Sequence, residues 1–237
     1  MKIDAFSFCN FAEFVPIIGP MQNNKVELIG HYGSDETHAL SAWTSTSRVL
    51  TEDKRNRIPQ LLKMLADDGH HSVFEKSSLH FLVTTEIATH IQICKHRIGV
   101  SVNAESARYK ELKDDKYYVP TDWDGEEQER YIEHMESCLQ RYHETLNRLV
   151  EKGMSRKRAK ESARFYLPYG NQITADVMFN FRSFYHFLHL RYSTHAQVEI
   201  RDLAEAMLKQ VTSLGVFNAT LEAFGLTKEG VLRGPFE

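Results

Sequence analysis

Residues 78–108, SLHFLVTTEIATHIQICKHRIGVSVNAESAR, combine a strand pattern, a helix pattern and a polar segment. The first part alternates, with Leu79, Phe81 and Val83 on one side, and it is rich in residues that favour strands. This pattern predicts a strand over residues 78–87.

A helix pattern follows the strand without a break. Ile87, Ile91 and Cys94 stand at i, i+4 and i+7, which is the spacing of one buried helical stripe. The stripe predicts that Cys94 is a core residue. Another face of the same helix is polar, and it carries Gln92, Lys95 and His96. One face is therefore predicted to pack against the protein, while the other can reach a ligand.

Gly99 ends the helical pattern, and the segment after it is predicted to be a loop. This segment offers hydroxyl, amide and guanidinium groups from Ser101, Asn103, Ser106 and Arg108. A guanidinium can hold a phosphate through two parallel hydrogen bonds. The segment therefore predicts a site for a phosphorylated ligand, with an ordinary solvated helix face as the alternative.

Length and composition indicate one compact globular domain over residues 1–237. The chain is 42% hydrophobic and 26% charged, and it has no linker, repeat or low-complexity tract. Its three cysteines, Cys9, Cys94 and Cys138, form no CxxC pair, which favours a reducing compartment and argues against a structural zinc site. No apolar run is long enough to span a membrane, and the N-terminal residues lack a signal-peptide pattern. We therefore expect a cytoplasmic protein.

The charge is distributed unevenly along the chain. A formal net charge of −3 argues against binding to a nucleic-acid polymer. Residues 95–110 nevertheless contain Lys95, Arg97, Arg108 and Lys110 against a single acidic residue. This local excess of positive charge favours a small anionic ligand.

Hydrophobic periodicity predicts the remaining elements. Strands are expected over residues 26–31 and 173–181, and helices over 36–47, 58–68, 126–152, 155–165, 183–192 and 196–214. The helix over 196–214 is expected to bury Val198, Leu203, Met207 and Val211. This mixture predicts an α+β fold, with a mostly antiparallel central sheet flanked by long helices.

Three separated blocks together resemble the flavin-dependent thymidylate synthases. They read HHSVFE at 70–75, KHRIGVSVNAESARY at 95–109 and NFRSFYHFLHLRYSTHAQVEI at 180–200. The family signature is Arg-His-Arg followed by Ser-x-Asn-x-x-Ser-x-Arg, and here KHR at 95–97 precedes SVNAESAR at 101–108. The resemblance extends over about residues 26–211.

The chain departs from the family pattern at four points. Lys95 stands where the family usually has Arg, and one extra residue lies between Arg97 and Ser101. Ala104 occupies a position that is commonly Glu, and His186 occupies one that is commonly Asn.

The resemblance implies roles for individual residues. The residues expected to bind FAD are Ser72, Glu75, Lys95, His96, Arg97, Asn180, Arg182 and His186. The residues expected to bind dUMP are Gln92, Lys95, Ser106, Ala107, Arg108, Arg164 and Arg191. Arg191 is the expected catalytic residue, because a guanidinium beside uracil can stabilise negative charge as N3 loses its proton.

The resemblance also implies the reaction. The one-carbon unit of 5,10-methylenetetrahydrofolate is transferred to C5 of dUMP, and FAD that has been reduced by NADPH supplies the hydride that completes the methyl group of dTMP. No covalent enzyme nucleophile and no metal are expected. The family further implies a homotetramer whose sites are shared between subunits.

Three other functions stay open at this point. A zinc-dependent hydrolase could use His186-x-x-His189 and His195-x-x-x-Glu199, although the HExxH motif is absent. An RNA-binding module could use residues 95–110 with the basic run at 156–160, although the net charge is acidic. A catalytically impaired nucleotide-binding homologue is the third.

Overall fold

The computed structural model describes residues 23–106 and 115–237, and a four-stranded antiparallel sheet lies at its centre. Its strands are β1 (Lys25–Tyr32), β2 (Ser78–Glu86), β3 (Val100–Ala104) and β4 (Gln172–Phe179). They lie in the order β1-β2-β4-β3, and every neighbouring pair is antiparallel. The predicted α+β fold with an antiparallel sheet is confirmed.

Nine helices lie within residues 23–106 and 115–237. They are α1 (Asp35–Ala42), α2 (Glu52–Asn56), α3 (Ile58–Asp67), α4 (Ile87–Ile93), α5 (Gly125–Glu151), α6 (Arg156–Ala163), α7 (Phe181–Arg191), α8 (Val198–Ser213) and α9 (Asn218–Ala223). Short 3-10 turns cover Trp43–Ser45, His71–Glu75 and Arg164–Tyr166. A small hairpin near the C-terminus joins β5 (Thr227–Lys228) to β6 (Val231–Leu232).

The main core lies between the sheet and helices α7 and α8. Leu79, Phe81 and Val83 of β2 are fully buried, as their alternation predicts. Phe81 stacks on Phe184 of α7 with ring centroids 5.8 Å apart. The same core contains Leu208 of α8. The central strand β2 and the two helices that follow β4 are thus joined by apolar packing.

Helix α5 is the element that the sequence predicts most closely. The expected bounds of 126–152 differ from Gly125–Glu151 by one residue at each end. Tyr142 and Leu146 pack against Ala159 and Ala163 of α6 in a separate small cluster. Gly153 follows the helix with a φ of +89°, a conformation that glycine adopts easily at this position.

The predicted buried stripe of α4 is wrong. Ile91 and Cys94 are exposed, whereas Thr89 and Ile93 are buried. The cause is the N-cap of the helix, because the Glu86 carboxylate accepts a hydrogen bond from Thr89 N at 3.2 Å and another from the Thr89 hydroxyl. These bonds turn Thr89 inward, and Ile93 lies one turn further along the same face.

The loop predicted after Gly99 is in part a strand. Residues 100–104 form β3, which pairs with β4 so that Val102 lies opposite Val177 and Asn103 opposite Asp176. Val100, Val102 and Ala104 pack against the main core, and Ser101 and Asn103 lie on the exposed face. Ser106 follows the strand, while Ala107 and Arg108 lie outside the described residues.

Two smaller predictions also need correction. The helix expected over 36–47 ends at Ala42 and continues as a 3-10 turn. Val198, which was expected to be buried, is the first residue of α8 and is 37% exposed.

No helix in the described ranges is long and apolar enough to cross a membrane. The single domain over 1–237 stays a prediction for the whole chain, because residues 1–22 and 107–114 are not described.

Candidate active site

A cleft of about 250 Å³ lies where the end of α4 meets α7. It is lined by Lys95, His96, Arg97, Ile98, Val100, Ser183, His186, Leu190 and Arg191. Five of these residues were predicted to bind FAD or dUMP. The structure therefore brings together side chains that lie almost one hundred positions apart in the sequence.

The turn around Gly99 fixes this geometry. Gly99 has a φ of +67°, and a Cβ at this position would collide with the side chains of Asn180 and Ser183. Asn180 N donates a hydrogen bond to the Gly99 carbonyl at 3.1 Å, and Ser183 Oγ donates one to the Ile98 carbonyl at 2.7 Å. The turn is thus bound to the first residues of α7.

Asn180 has a structural role at the same place. Its Oδ1 accepts a hydrogen bond from Ser183 N at 2.8 Å, so that it caps the N-terminus of α7. Ser183 lines the cleft, although the sequence analysis did not predict it. The pattern Asn180-x-x-Ser183 at the start of a helix could have indicated its position, because Asn is a common N-cap residue.

Arg191 is held by two hydrogen bonds that it donates. Its Nε donates to His96 Nε2 at 3.0 Å, and its Nη1 donates to Gln92 Oε1 at 3.4 Å. Because an arginine Nε is always a donor, His96 Nε2 has to be unprotonated here. Burial, together with the positive charge of Arg191 and the nearby His186, lowers the pKa of His96 to about 4. A neutral imidazole therefore positions a cationic guanidinium at the cleft.

The electrostatics of the cleft favour an anion. Lys95, Arg97 and Arg191 carry positive charge, and none of the described residues that line the cleft is a carboxylate. Burial lowers the pKa of Arg191, but a guanidinium stays charged at neutral pH. Phosphate groups are the ligands that such donors bind best.

The lining also has an apolar part that suits a flat ring. Ile98 is 90% exposed and Leu190 is 45% exposed. Cations beside exposed apolar side chains suit a ligand that has both an anionic group and an apolar part. The volume of about 250 Å³ is below that of most sites for larger ligands, so this cleft can hold only part of one.

Other predicted site residues lie outside this cleft. Glu75 forms an ion pair with Arg182, with Arg182 Nη1 2.5 Å from Glu75 Oε1. Ser72 is exposed on the 3-10 turn before β2, and Arg164 is exposed on the turn after α6. Gln92 does not line the cleft but contacts Arg191, which does.

The histidines that suggested zinc do not converge in the described part of the chain. His186 faces His96, with ring centroids 5.9 Å apart, whereas His189 packs on Phe236 with centroids 5.1 Å apart. Within residues 23–106 and 115–237, no group of three or more His, Cys, Asp or Glu side chains could hold a metal ion.

Residues 27–214 match the model of the family described as "Thymidylate synthase complementing protein". A flavin-dependent thymidylate synthase from Kosmotoga olearia is 28% identical over 204 residues, which cover 80% of this chain and 85% of that protein. A flavin-dependent thymidylate synthase from Clostridium tetani is 34% identical over 177 residues, covering 70% of this chain and 69% of that protein.

Comparison with solved structures gives a consistent result. The crystal structure of a UMP/dUMP methylase, PolB, from Streptomyces cacaoi bound with 5-Br dUMP superimposes with a TM-score of 0.71 and 28% sequence identity. The match covers 86% of this chain and 96% of that one. The similarity therefore extends over the sheet and the helices that form the cleft.

Proposed function

The chain belongs to the thymidylate synthase complementing protein family, and from this premise we propose that it is a flavin-dependent thymidylate synthase that converts dUMP to dTMP. FAD is the proposed cofactor, NADPH the reductant and 5,10-methylenetetrahydrofolate the one-carbon donor. The observation that carries the proposal is the position of Arg191, which lies at a cationic cleft and is held by His96 and Gln92.

Arg191 would activate the pyrimidine electrostatically. When N3 of uracil loses its proton, negative charge spreads over the ring, and an adjacent guanidinium stabilises it. Because His96 is neutral, it holds Arg191 without adding a second positive charge or neutralising the first. This activation requires no covalent bond between the enzyme and C6.

The described cysteines support a reaction without an enzyme nucleophile. Cys94 is the cysteine nearest to the cleft in sequence, and burial raises the pKa of its thiol. A thiol with a raised pKa is mostly protonated at neutral pH and is a weak nucleophile. Cys138 lies on α5 and does not line the cleft.

The flavin site is proposed to extend from the cleft towards the Glu75–Arg182 ion pair. The residues proposed to hold FAD are Ser72, Glu75, Lys95, His96, Arg97, Asn180, Arg182 and His186. When bound, the flavin supplies the hydride that completes the methyl group. Lys95 and Arg97 would neutralise its phosphates, and Glu75 would orient Arg182.

The nucleotide site is proposed to adjoin Arg191. The residues proposed to hold dUMP are Gln92, Lys95, Ser106, Ala107, Arg108, Arg164 and Arg191. Arg164 is exposed on the turn after α6, and Ser106 follows the C-terminal end of β3.

The active form is proposed to be a homotetramer whose subunits share the sites. The cleft of a single chain is too small for a flavin and a nucleotide together, and Ile98 at its rim is 90% exposed. A neighbouring subunit would complete the site and cover this apolar side chain.

Formation of dTMP tests the function. Purified protein is incubated with dUMP, 5,10-methylenetetrahydrofolate, NADPH and FAD, and dTMP is measured by chromatography. A flavin-stripped sample without added FAD serves as the control. We expect dTMP only with FAD, and the absence of dTMP from folded, flavin-loaded protein would mean that the chain is a nucleotide-binding homologue without this activity.

Methylation of UMP is a second candidate, because the structural neighbour is a UMP/dUMP methylase. The same incubation with UMP in place of dUMP distinguishes the two substrates. A ratio of kcat/KM for dUMP over UMP well above one supports the thymidylate synthase, and a ratio at or below one supports the UMP methylase.

A further inference from the structure

A line of hydrogen bonds leads from Arg191 away from the cleft. Gln92 Oε1 accepts from Arg191 Nη1 at 3.4 Å, and Gln92 Nε2 donates to Gln197 Oε1 at 2.8 Å. Gln197 Nε2 then donates to Glu199 Oε2 at 2.7 Å. The line therefore ends on a carboxylate in the first turn of α8.

The chemistry of the two ends fixes the direction of every bond in this line. An ionised carboxylate can only accept, so Gln197 must turn its NH₂ group towards Glu199. Its carbonyl then faces Gln92, which must offer its own NH₂ group. The carbonyl of Gln92 is left facing Arg191, whose guanidinium can only donate. Both amides thus have one orientation that satisfies all the partners.

The location of Gln197 and Glu199 supports a specific use of these side chains. Gln197 is the N-cap residue of α8, yet its side chain accepts no hydrogen bond from that helix and is bonded instead to Gln92 and Glu199. Glu199 lies at the positive end of the helix dipole, which stabilises its charge. Burial raises the pKa of Tyr118, and the negative charge of the nearby Glu199 raises it further.

We propose that Glu199 and Gln197 are positioning residues, which orient the Gln92 amide so that its carbonyl holds Arg191 at the cleft. This inference rests on the proposed function for its consequence in catalysis. The contacts themselves do not depend on the identity of the substrate. Loss of the carboxylate at position 199 would allow both amides to flip, and a flipped Gln92 would present its NH₂ group to a guanidinium that needs an acceptor.

The substitution Glu199→Gln tests the polarity of the line. It keeps the size and shape of the side chain and replaces an acceptor-only group with an amide that can also donate. We expect kcat for dTMP formation to fall about 10-fold, the effect of one misplaced hydrogen bond to a charged group, and dUMP to bind more weakly, because Gln92 and Arg191 are also proposed to hold dUMP. Glu205→Gln on the same helix is the matched control, because Glu205 pairs with Lys209 and lies outside the line.

A double-mutant cycle with Gln92→Ala decides whether Glu199 acts through Gln92. If it does, Glu199→Gln has no further effect on kcat once Gln92 is absent. Equal effects of Glu199→Gln in both backgrounds would overturn the proposal, as would a Glu199→Gln variant with the kcat of the wild type.

The cycle is also measured as the affinity for dUMP by calorimetry, which needs no turnover. If the wild type forms no dTMP, the proposed function fails. The positioning role is then decided by whether Glu199→Gln changes dUMP affinity only when Gln92 is present. Circular dichroism melting of each variant shows that the chain remains folded.

Discussion

At the scale of single residues, the site depends on one imidazole that is kept neutral. His96 is 8% exposed and accepts a hydrogen bond from Arg191, and these two facts explain why its pKa is lowered to about 4. A protonated His96 would lose this bond and repel the guanidinium. The position of Arg191 therefore depends on a proton that is absent from its neighbour.

Removal of the Arg191 guanidinium should separate catalysis from flavin binding. We expect Arg191→Ala to lower kcat for dTMP formation by about 100-fold or more, because charge stabilisation at the uracil is lost. The flavin affinity should change much less, since Lys95, Arg97 and Arg182 remain. Flavin absorbance titration and initial rates measure the two effects, and full activity in the variant would remove Arg191 from the mechanism.

His38 should make the stability of the protein depend on pH. It is fully buried between Ser77 and Thr220, and burial lowers its pKa from 6.5 to about 4. Because the folded state disfavours the proton, stability is highest above pH 6.5 and falls as the pH drops towards 4. Between pH 7 and pH 5 this residue should contribute a loss of about 2 kcal/mol.

Urea unfolding at both pH values checks this expectation in the wild type and in His38→Gln. The free energy of unfolding should depend less on pH in the variant, by about 2 kcal/mol over this range. The same pH dependence in both proteins would show that His38 is not the titrating group. The comparison uses the change with pH, so any uniform loss of stability in the variant does not affect it.

Among the helices and strands, the sequence predicted the long helix α5 most closely and was wrong about the buried face of the short helix α4. Helix α5 has 27 residues, so its apolar residues repeat often enough to define one buried face. Helix α4 has only seven residues, and its buried face is decided by the Glu86 cap. Its apolar spacing gave the wrong face because Thr89 is buried through hydrogen bonds to that cap.

Strand β3 was missed for a related reason. Its polar residues Ser101 and Asn103 suggested a loop, but they lie on the exposed face of an edge strand. The strand depends on pairing with β4, more than seventy residues away, and local patterns do not contain that information. Five of the nine residues that line the cleft were predicted by motif, whereas the contacts of Gln197 and Glu199 required the geometry of the site.

The turn at Gly99 should be sensitive to any side chain. We expect Gly99→Ala to lower the free energy of unfolding by about 2 kcal/mol, because it combines a positive φ with contacts against Asn180 and Ser183. The melting temperature should fall by about 4–8 °C. Gly125→Ala is the control, since nothing lies within 4 Å of a Cβ at Gly125. Equal melting temperatures for the two variants would contradict this account of the turn.

At the scale of the whole molecule, a mildly acidic chain presents a locally cationic cleft. The net charge is −3, while the charged side chains that line the cleft are all positive. Such an arrangement attracts small anions without general affinity for nucleic acid. The fold achieves it by placing the end of α4 beside α7.

The proposed homotetramer can be tested by the mass of the protein in solution. We expect light scattering after size-exclusion chromatography to give about four times the chain mass of 27.5 kDa. Ile98→Asp should lower this mass and the flavin affinity together, because Ile98 is the most exposed apolar side chain at the cleft and a buried charge there would oppose association. A tetramer that persists in this variant would place the subunit contact elsewhere.

We propose that this protein makes dTMP from dUMP with the help of a flavin, and a titration with FAD tests this proposal. Flavin-stripped protein is supplied with dUMP, 5,10-methylenetetrahydrofolate and NADPH, and FAD is added in steps while dTMP is measured. We expect the rate of dTMP formation to be negligible at first and then to rise in proportion to the bound flavin until it saturates. A rate that does not depend on FAD, or no dTMP when the flavin is fully bound, would contradict it.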